Sequence, residues 1–230
     1  MNEFNYIEAL SNILGFSGDD GYEMEVAERI VFQYILSKLK PAKSLEIGSR
    51  AGGSLRVIAN NSTSVDCVDI DSEVPSRVPE LKNINFYIGN SKTVLPDLFE
   101  QYNDEGVFPD FIHIDGDHSF EGALADIEAV INIKSNKPIL ILVHDSFNQE
   151  VRKALRSIDI NKYPLIKVYD IDFMTGIYHT REVVKNELWG GFALIYMDSK
   201  PSAMQYYNNH MQKQFEIIAK YASLKAISND

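Results

Sequence analysis

Residues 44–54 read Ser-Leu-Glu-Ile-Gly-Ser-Arg-Ala-Gly-Gly-Ser, and they decide the fold. A short apolar run stops at Gly48, and Gly52 and Gly53 then lead into a segment with helical spacing. Glycine lets a backbone turn sharply and come close to a ligand. A strand that ends in such a turn and feeds a helix is the opening unit of an α/β domain. The same alternation recurs outward from it. Apolar, β-branched runs at 44–47, 64–68, 84–88, 111–114, 139–143, 165–169 and 192–197 predict strands covered on both faces. Helical patterns at 23–40, 54–60, 94–102, 120–133 and 149–157 lie around and between them. In the first, Val26, Ile30, Tyr34 and Ile35 share one face, and Pro41 stops the helix. A last helix is expected over 203–226, where Met204, Tyr207, Met211, Phe215 and Ile218 recur at intervals of three and four. The expectation is a doubly wound α/β sheet, with 1–40 as a helical extension and 41–230 as the sheet domain.

Composition narrows the functions. The 230 residues suit one large domain. A formal net charge of −11, with no basic stripe, excludes an electrostatic nucleic-acid binder. Cys67 is the sole cysteine, so there is no intramolecular disulfide, and a reducing compartment is expected. The N-terminus lacks a basic leader, and no apolar stretch approaches the roughly 20 residues of a membrane span. These features predict a cytoplasmic chain with no membrane partner.

In doubly wound sheets, ligands sit beyond the carboxyl ends of the strands. The first strand end carries Glu46, Gly48, Ser49, Gly52 and Ser54. The second ends in VDCVDID, where Asp69 lies 21 positions after Gly48, the spacing at which an acid reaches a ribose hydroxyl. The glycines follow G-x-x-x-G rather than the dinucleotide G-x-G-x-x-G, and the loop has no lysine for a triphosphate. After the third strand, Asn90 offers a donor and an acceptor suited to an adenine edge, and Ser91 follows it. A ribose-reading acid beside a loop without phosphate-cradling features suits S-adenosylmethionine.

With these residues in place, the chain resembles the class I S-adenosylmethionine-dependent methyltransferases. EIGSRAGG stands for their first motif, VDID for the second and IGNS for the third. The likeness is strongest to a bacterial subgroup with IDGDH and HDS motifs, related to macrocin-type sugar O-methyltransferases and cephalosporin-hydroxylase-like proteins. It implies a Rossmann-like seven-stranded sheet, six strands parallel and the last antiparallel. It also implies cofactor contacts from Glu46, Gly48, Ser49, Gly52, Ser54, Asp69, Asn90, Ser91 and Asp115.

The chemistry is expected at the next two strand ends, IDGDHSFEG (114–122) and VHDSF (143–147). Asp115, His118, His144 and Asp145 together form a metal-ligand constellation of carboxylates and imidazoles. By the resemblance, Asp115, His144 and Asp145 hold a divalent cation, and His118 is the base. Imidazole suits manganese, iron, zinc or nickel better than magnesium, which leaves the metal open. Asp117 reads as a cap or turn residue, and His113 as a core histidine. Arg152 reads as a salt-bridge partner and Asp172 as a candidate acceptor contact. The partner expected is a small hydroxylated acceptor, a sugar or glycan precursor by analogy. The last helix serves either a homo-oligomer interface or the cover of the sheet. Two other readings stand beside this one. Two histidines and a carboxylate also make a facial triad for a non-haem iron oxygenase, and the fold also serves non-catalytic cofactor-binding modules.

Overall fold

The computed structural model describes residues 23–179, 186–201 and 205–227, with side chains of the last helix described through residue 220. The strands are β1 (Lys43–Ile47), β2 (Ser64–Asp69), β3 (Ile84–Ile88), β4 (Phe111–Ile114), β5 (Ile139–His144), β6 (Ile166–Met174), β7 (Ile177–Tyr178), β8 (Leu188–Trp189), β9 (Phe192–Met197) and β10 (Tyr206–Asn208). The helices are α1 (Val26–Leu39), α2 (Gly53–Asn61), α3 (Val74–Arg77), α4 (Ser91–Glu105), α5 (Phe120–Ile131), α6 (Gln149–Ser157) and α7 (Gln212–Ile227).

Eight strands form one sheet in the order β10-β6-β9-β5-β4-β1-β2-β3. All run parallel except β9, which is antiparallel to both β5 and β6. β7 and β8 make a separate two-stranded ribbon. One face of the sheet packs Leu45, Ile47 and Ile112 against α4, α5 and α6. The other packs Val65, Cys67, Phe111 and Leu142 against Phe32 and Leu36 of α1 and Leu55 and Ile58 of α2. Layers on both faces explain why the central strands are apolar throughout. The chain winds from β1 to β3 in one direction and restarts at β4 on the other side, so the switch point is the β1/β4 crevice.

Three expectations need correction. The sheet has eight strands rather than seven. The extra strand, β10, lies where a continuous helix from 203 was expected. Tyr207 instead stacks on Tyr169 of β6, with ring centroids 5.9 Å apart. The side chain of Asn208 then accepts from the His210 amide and breaks the chain direction before α7 begins. Met204 lies outside the described residues, as do residues 1–22 of the expected N-terminal extension. Lastly, α1 buries the opposite face to the one expected. Val26, Ile30 and Tyr34 are exposed, while Glu28, Phe32 and Leu36 are buried. Phe32 wins because it meets Phe111, His113 and Phe192 at once. Its neighbours at four-residue spacing, Leu36 and Glu28, follow it inward. No helix among the described residues is long and apolar enough to cross a membrane.

Arg152 on α6 is buried in a lock between three elements. It donates to Asp172 of β6 at 2.7 Å and to Gln212 of α7 at 2.9 Å. Its guanidinium lies between the Phe147 and Phe215 rings, 4.9 and 4.7 Å from their centroids. Asp172 also accepts from the Met211 amide at 2.8 Å. Arg152 and Asp172 therefore form a buried salt bridge, and both Asp172 oxygens are engaged within the chain.

Asp126 on α5 is a buried acid within this core. It is 1 % exposed, neither carboxylate oxygen makes a well-formed hydrogen bond, and Ser91 and Lys92 offset its burial only in part. Burial pushes its carboxyl up to about 6. A raised folded-state pKa means that Asp126 favours the fold at low pH and that this contribution is lost as pH rises from about 4 to 6. Asp126→Asn is therefore expected to stabilise the protein at about pH 8 by about 3 kcal/mol, because each tenfold change in acidity is worth about 1.36 kcal/mol. The gain should vanish near pH 4. Urea unfolding of both proteins at the two pH values checks this, and an equal difference at both would refute it.

Candidate active site

The first strand end forms the turn that the sequence predicts. Gly48 adopts φ +82°, and a Cβ there would lie 2.2 Å from the Asp115 carbonyl oxygen. Glycine is thus required for two reasons, its left-handed backbone and the close approach of β4. Gly52, at φ +83°, is the N-cap of α2, and Ser54 is buried in its first turn. Asp69 pins the turn from the end of β2. One carboxylate oxygen accepts from the amides of Ser49 at 2.7 Å and Arg50 at 3.0 Å, and the other accepts from Asp71 at 2.8 Å. An ionised carboxylate offers about four acceptor positions. Three are used here, and the remaining one suits a ribose hydroxyl. The Ser49 hydroxyl turns inward to the Cys67 sulfur at 2.8 Å. Burial, the largest effect, pushes the Cys67 thiol far above its ordinary value, so it is inert packing.

Glu46, Asn90 and Ser91, together with His113 and Asp117, make the following contacts within the chain. Glu46 is fully buried and meets His113 at 3.1 Å, in the layer below Phe32. Alternation along β1 carries its side chain away from the α4–α6 face and towards α1. Asn90 caps α4 by accepting from the Lys92 amide at 2.9 Å, and Ser91 is the first residue of that helix. His113 is a core histidine, as its mid-strand position predicts. Asp117 accepts from the Ser119 amide, and Ser119 caps α5.

The structure brings Asp115, His118, His144 and Asp145 together. β4 and β5 pair in parallel with Ile114 beside Val143, which sets the following residues side by side. His118 Nε2 lies 3.3 Å from Asp115 Oδ1 and 2.9 Å from Asp145 Oδ2. His144 Nδ1 lies 3.2 Å from Asp115 Oδ1 and 3.5 Å from Asp145 Oδ2. Asp145 holds φ +55°, a left-handed conformation that aspartate tolerates better than most residues. The Gly190 amide donates to its other oxygen at 2.6 Å.

The four side chains shift one another's protonation. Burial alone would lower the His118 pKa, but hydrogen bonds to Asp115 and Asp145 push it up to about 10. The same two acids raise His144 well above its ordinary value against its burial. Burial would raise Asp115, yet His144 and His118 hold it at about 2, and Asp145 is lowered in the same way. Both imidazoles are thus drawn towards their protonated forms and both carboxylates towards their ionised forms.

Sequence reasoning missed Glu28. Its Oε1 accepts from the Gly191 amide at 2.5 Å and lies 3.4 Å from His144 Nε2. Glu28 and the Gly190-Gly191 turn thereby close the cluster from the α1 side. No local pattern announces it: Glu28 and Gly191 are 163 residues apart.

The donor set fits a divalent cation. One ligand atom each from Asp115, His144 and Asp145 lies within 4.8 Å of the others. The mixed nitrogen and oxygen donors favour manganese or another first-row metal over magnesium.

Comparison with known proteins agrees with this architecture. Residues 45–146 match the family described as a methyltransferase domain. No curated protein matches the chain. Among solved structures it is similar to the cofactor-bound protein Rv0187 from MTB, at 19% identity over 84% of this chain and 90% of that one, with a TM-score of 0.55. It is also similar to an O-methyltransferase from Bacillus cereus in complex with SAH, at 14% identity over 86% and 93%, TM-score 0.55. A third is the O-methyltransferase TomG from Streptomyces achromogenes, involved in tomaymycin synthesis and solved with SAM, at 12% identity over 86% and 92%, TM-score 0.56. Residues 45–146 are thus similar to a methyltransferase domain, and the chain shares the Rossmann-like fold of these solved O-methyltransferases.

Proposed function

We propose that this protein transfers a methyl group from S-adenosylmethionine to a hydroxyl of a small acceptor, a sugar or glycan precursor, with help from a divalent cation. The observation that carries this reading is the meeting of Asp115, His118, His144 and Asp145 directly beside the Gly48 turn. S-adenosylmethionine supplies an electrophilic methyl group, and a cation acidifies a hydroxyl bound to it. Gly48, Asp69 and the amides between them shape the cofactor side. Asp115, His144 and Asp145 would hold the cation. Once Asp115 and Asp145 are committed there, they no longer retain the proton on His118. Its Nε2 can then take the acceptor's hydroxyl proton, as a general base within reach of the reacting oxygen. Holding the two reactants in near-attack geometry supplies much of the rate.

The test is a calorimetric titration of the full chain with S-adenosylhomocysteine. Micromolar binding is expected. Asp69→Ala leaves the Ser49 and Arg50 amides unpaired and should weaken binding about tenfold, one buried hydrogen bond or more in energy. An acceptor screen with manganese and magnesium follows. Folded protein that binds no S-adenosylhomocysteine would overturn the reading. Iron binding with oxygen-dependent turnover would favour the oxygenase in its place.

A further inference from the structure

The β7–β8 ribbon borders the cluster at His118. Ile177 pairs with Trp189, and Tyr178 pairs with Leu188. Paired residues share a face, so the ribbon has two different sides. Leu188 and Tyr178 pack inward on Phe147 and Phe215. Ile177 and Trp189 take the other side, where Ile177 is 43% exposed. Trp189 meets the His118 ring edge to face at 5.2 Å. Its indole N–H donates to Glu187 at 2.6 Å, which fixes the ring plane. The ribbon is anchored where it joins the site. Gly190 donates to Asp145 and Gly191 to Glu28, and a Cβ at Gly176 would lie 2.2 Å from the Trp189 carbonyl oxygen.

We infer that this ribbon is the acceptor platform: Trp189 takes the apolar face of a neutral pyranoside, and Glu187 accepts a hydroxyl at its rim. The inference rests on the methyltransferase reading and names the subsite that would orient the acceptor. An indole beside carboxylates matches a ring that has both a C–H face and many hydroxyl donors. Glu187, held at the rim of the indole, would repel a phosphate placed there. Ring stacking also places the hydroxyl next to His118, the ring's own contact.

Trp189 is the only tryptophan in the chain, so intrinsic emission reads this one position. The full chain, saturated with S-adenosylhomocysteine, is titrated with methyl hexopyranosides, with acyclic glucitol and with glucose 6-phosphate. A saturable emission change with at least one pyranoside and none with the other two is expected. By calorimetry, Trp189→Ala should weaken that pyranoside about tenfold, and Trp189→Phe by much less, with S-adenosylhomocysteine affinity unchanged in both. If S-adenosylhomocysteine binds but no pyranoside alters the emission, the platform is refuted and the methyltransferase reading stands. Equal pyranoside affinity in Trp189→Ala would refute it as well. Failure to bind S-adenosylhomocysteine refutes the methyltransferase reading instead.

Discussion

Asp115→Ala is expected to lower turnover by at least about a thousandfold, the range set by losing a positioned base together with cation-held substrate. One oxygen of Asp115 is the shared partner of both His118 and His144. Truncation therefore removes one cation donor and leaves each imidazole with Asp145 as its remaining carboxylate in the cluster. Cofactor affinity should stay within a few-fold, because the Gly48 turn is pinned by Asp69 and touches only the Asp115 main chain. The cation response should disappear, read as loss of manganese binding by calorimetry. His118→Ala separates the roles: it should also abolish turnover yet keep manganese binding, since the three ligands remain. Wild-type rates in both variants would eliminate the mechanism, whatever acceptor is used.

Arg152→Ala is expected to cost about 3–5 kcal/mol, the typical cost of removing one partner of a buried ion pair. Three losses coincide. Asp172 keeps a fully buried carboxylate with only the exposed His210 imidazole near it at 3.9 Å, Gln212 loses its donor, and the space between Phe147 and Phe215 empties. For a chain of this size the melting temperature should fall by roughly 10 °C. The double variant Arg152→Met/Asp172→Asn should recover part of this, because it fills the gap between the rings and removes the stranded charge. Differential scanning calorimetry decides the point. A loss below about 1 kcal/mol, the scale of an exposed pair, would show that the lock carries no stability.

What the sequence reveals follows from how local each feature is. The Gly48 turn, Asp115 with His118, and His144 with Asp145 each lie within a few residues of a strand end, so their grouping needs only the strand order. The strands themselves are legible for the same reason, and β3, β4 and β9 fall within their expected bounds. Glu28 is not legible, because its contact with Gly191 depends on how α1 docks. The docking face of α1 is ambiguous in the sequence. Val26, Ile30 and Tyr34 have the same four-residue spacing as Glu28, Phe32 and Leu36, and only the tertiary partners of Phe32 separate the two stripes. The ordinary titration expected of His118 also fails, since its two carboxylate neighbours come from different strand ends. Asn90 shows the reverse case, where the ordinary role of a helix cap accounts for all its observed contacts.

Gly48 packs against the Asp115 main chain, and β1 lies in register with β4 through Ile47 and Ile114. In the proposed reaction, the spacing between the cofactor turn and the strand end that carries Asp115 is therefore set by the backbone of two neighbouring strands. Such a gauge is set when the sheet folds. It leaves the ribbon free to change towards new acceptors, while the spacing of the cofactor turn and Asp115 stays constant.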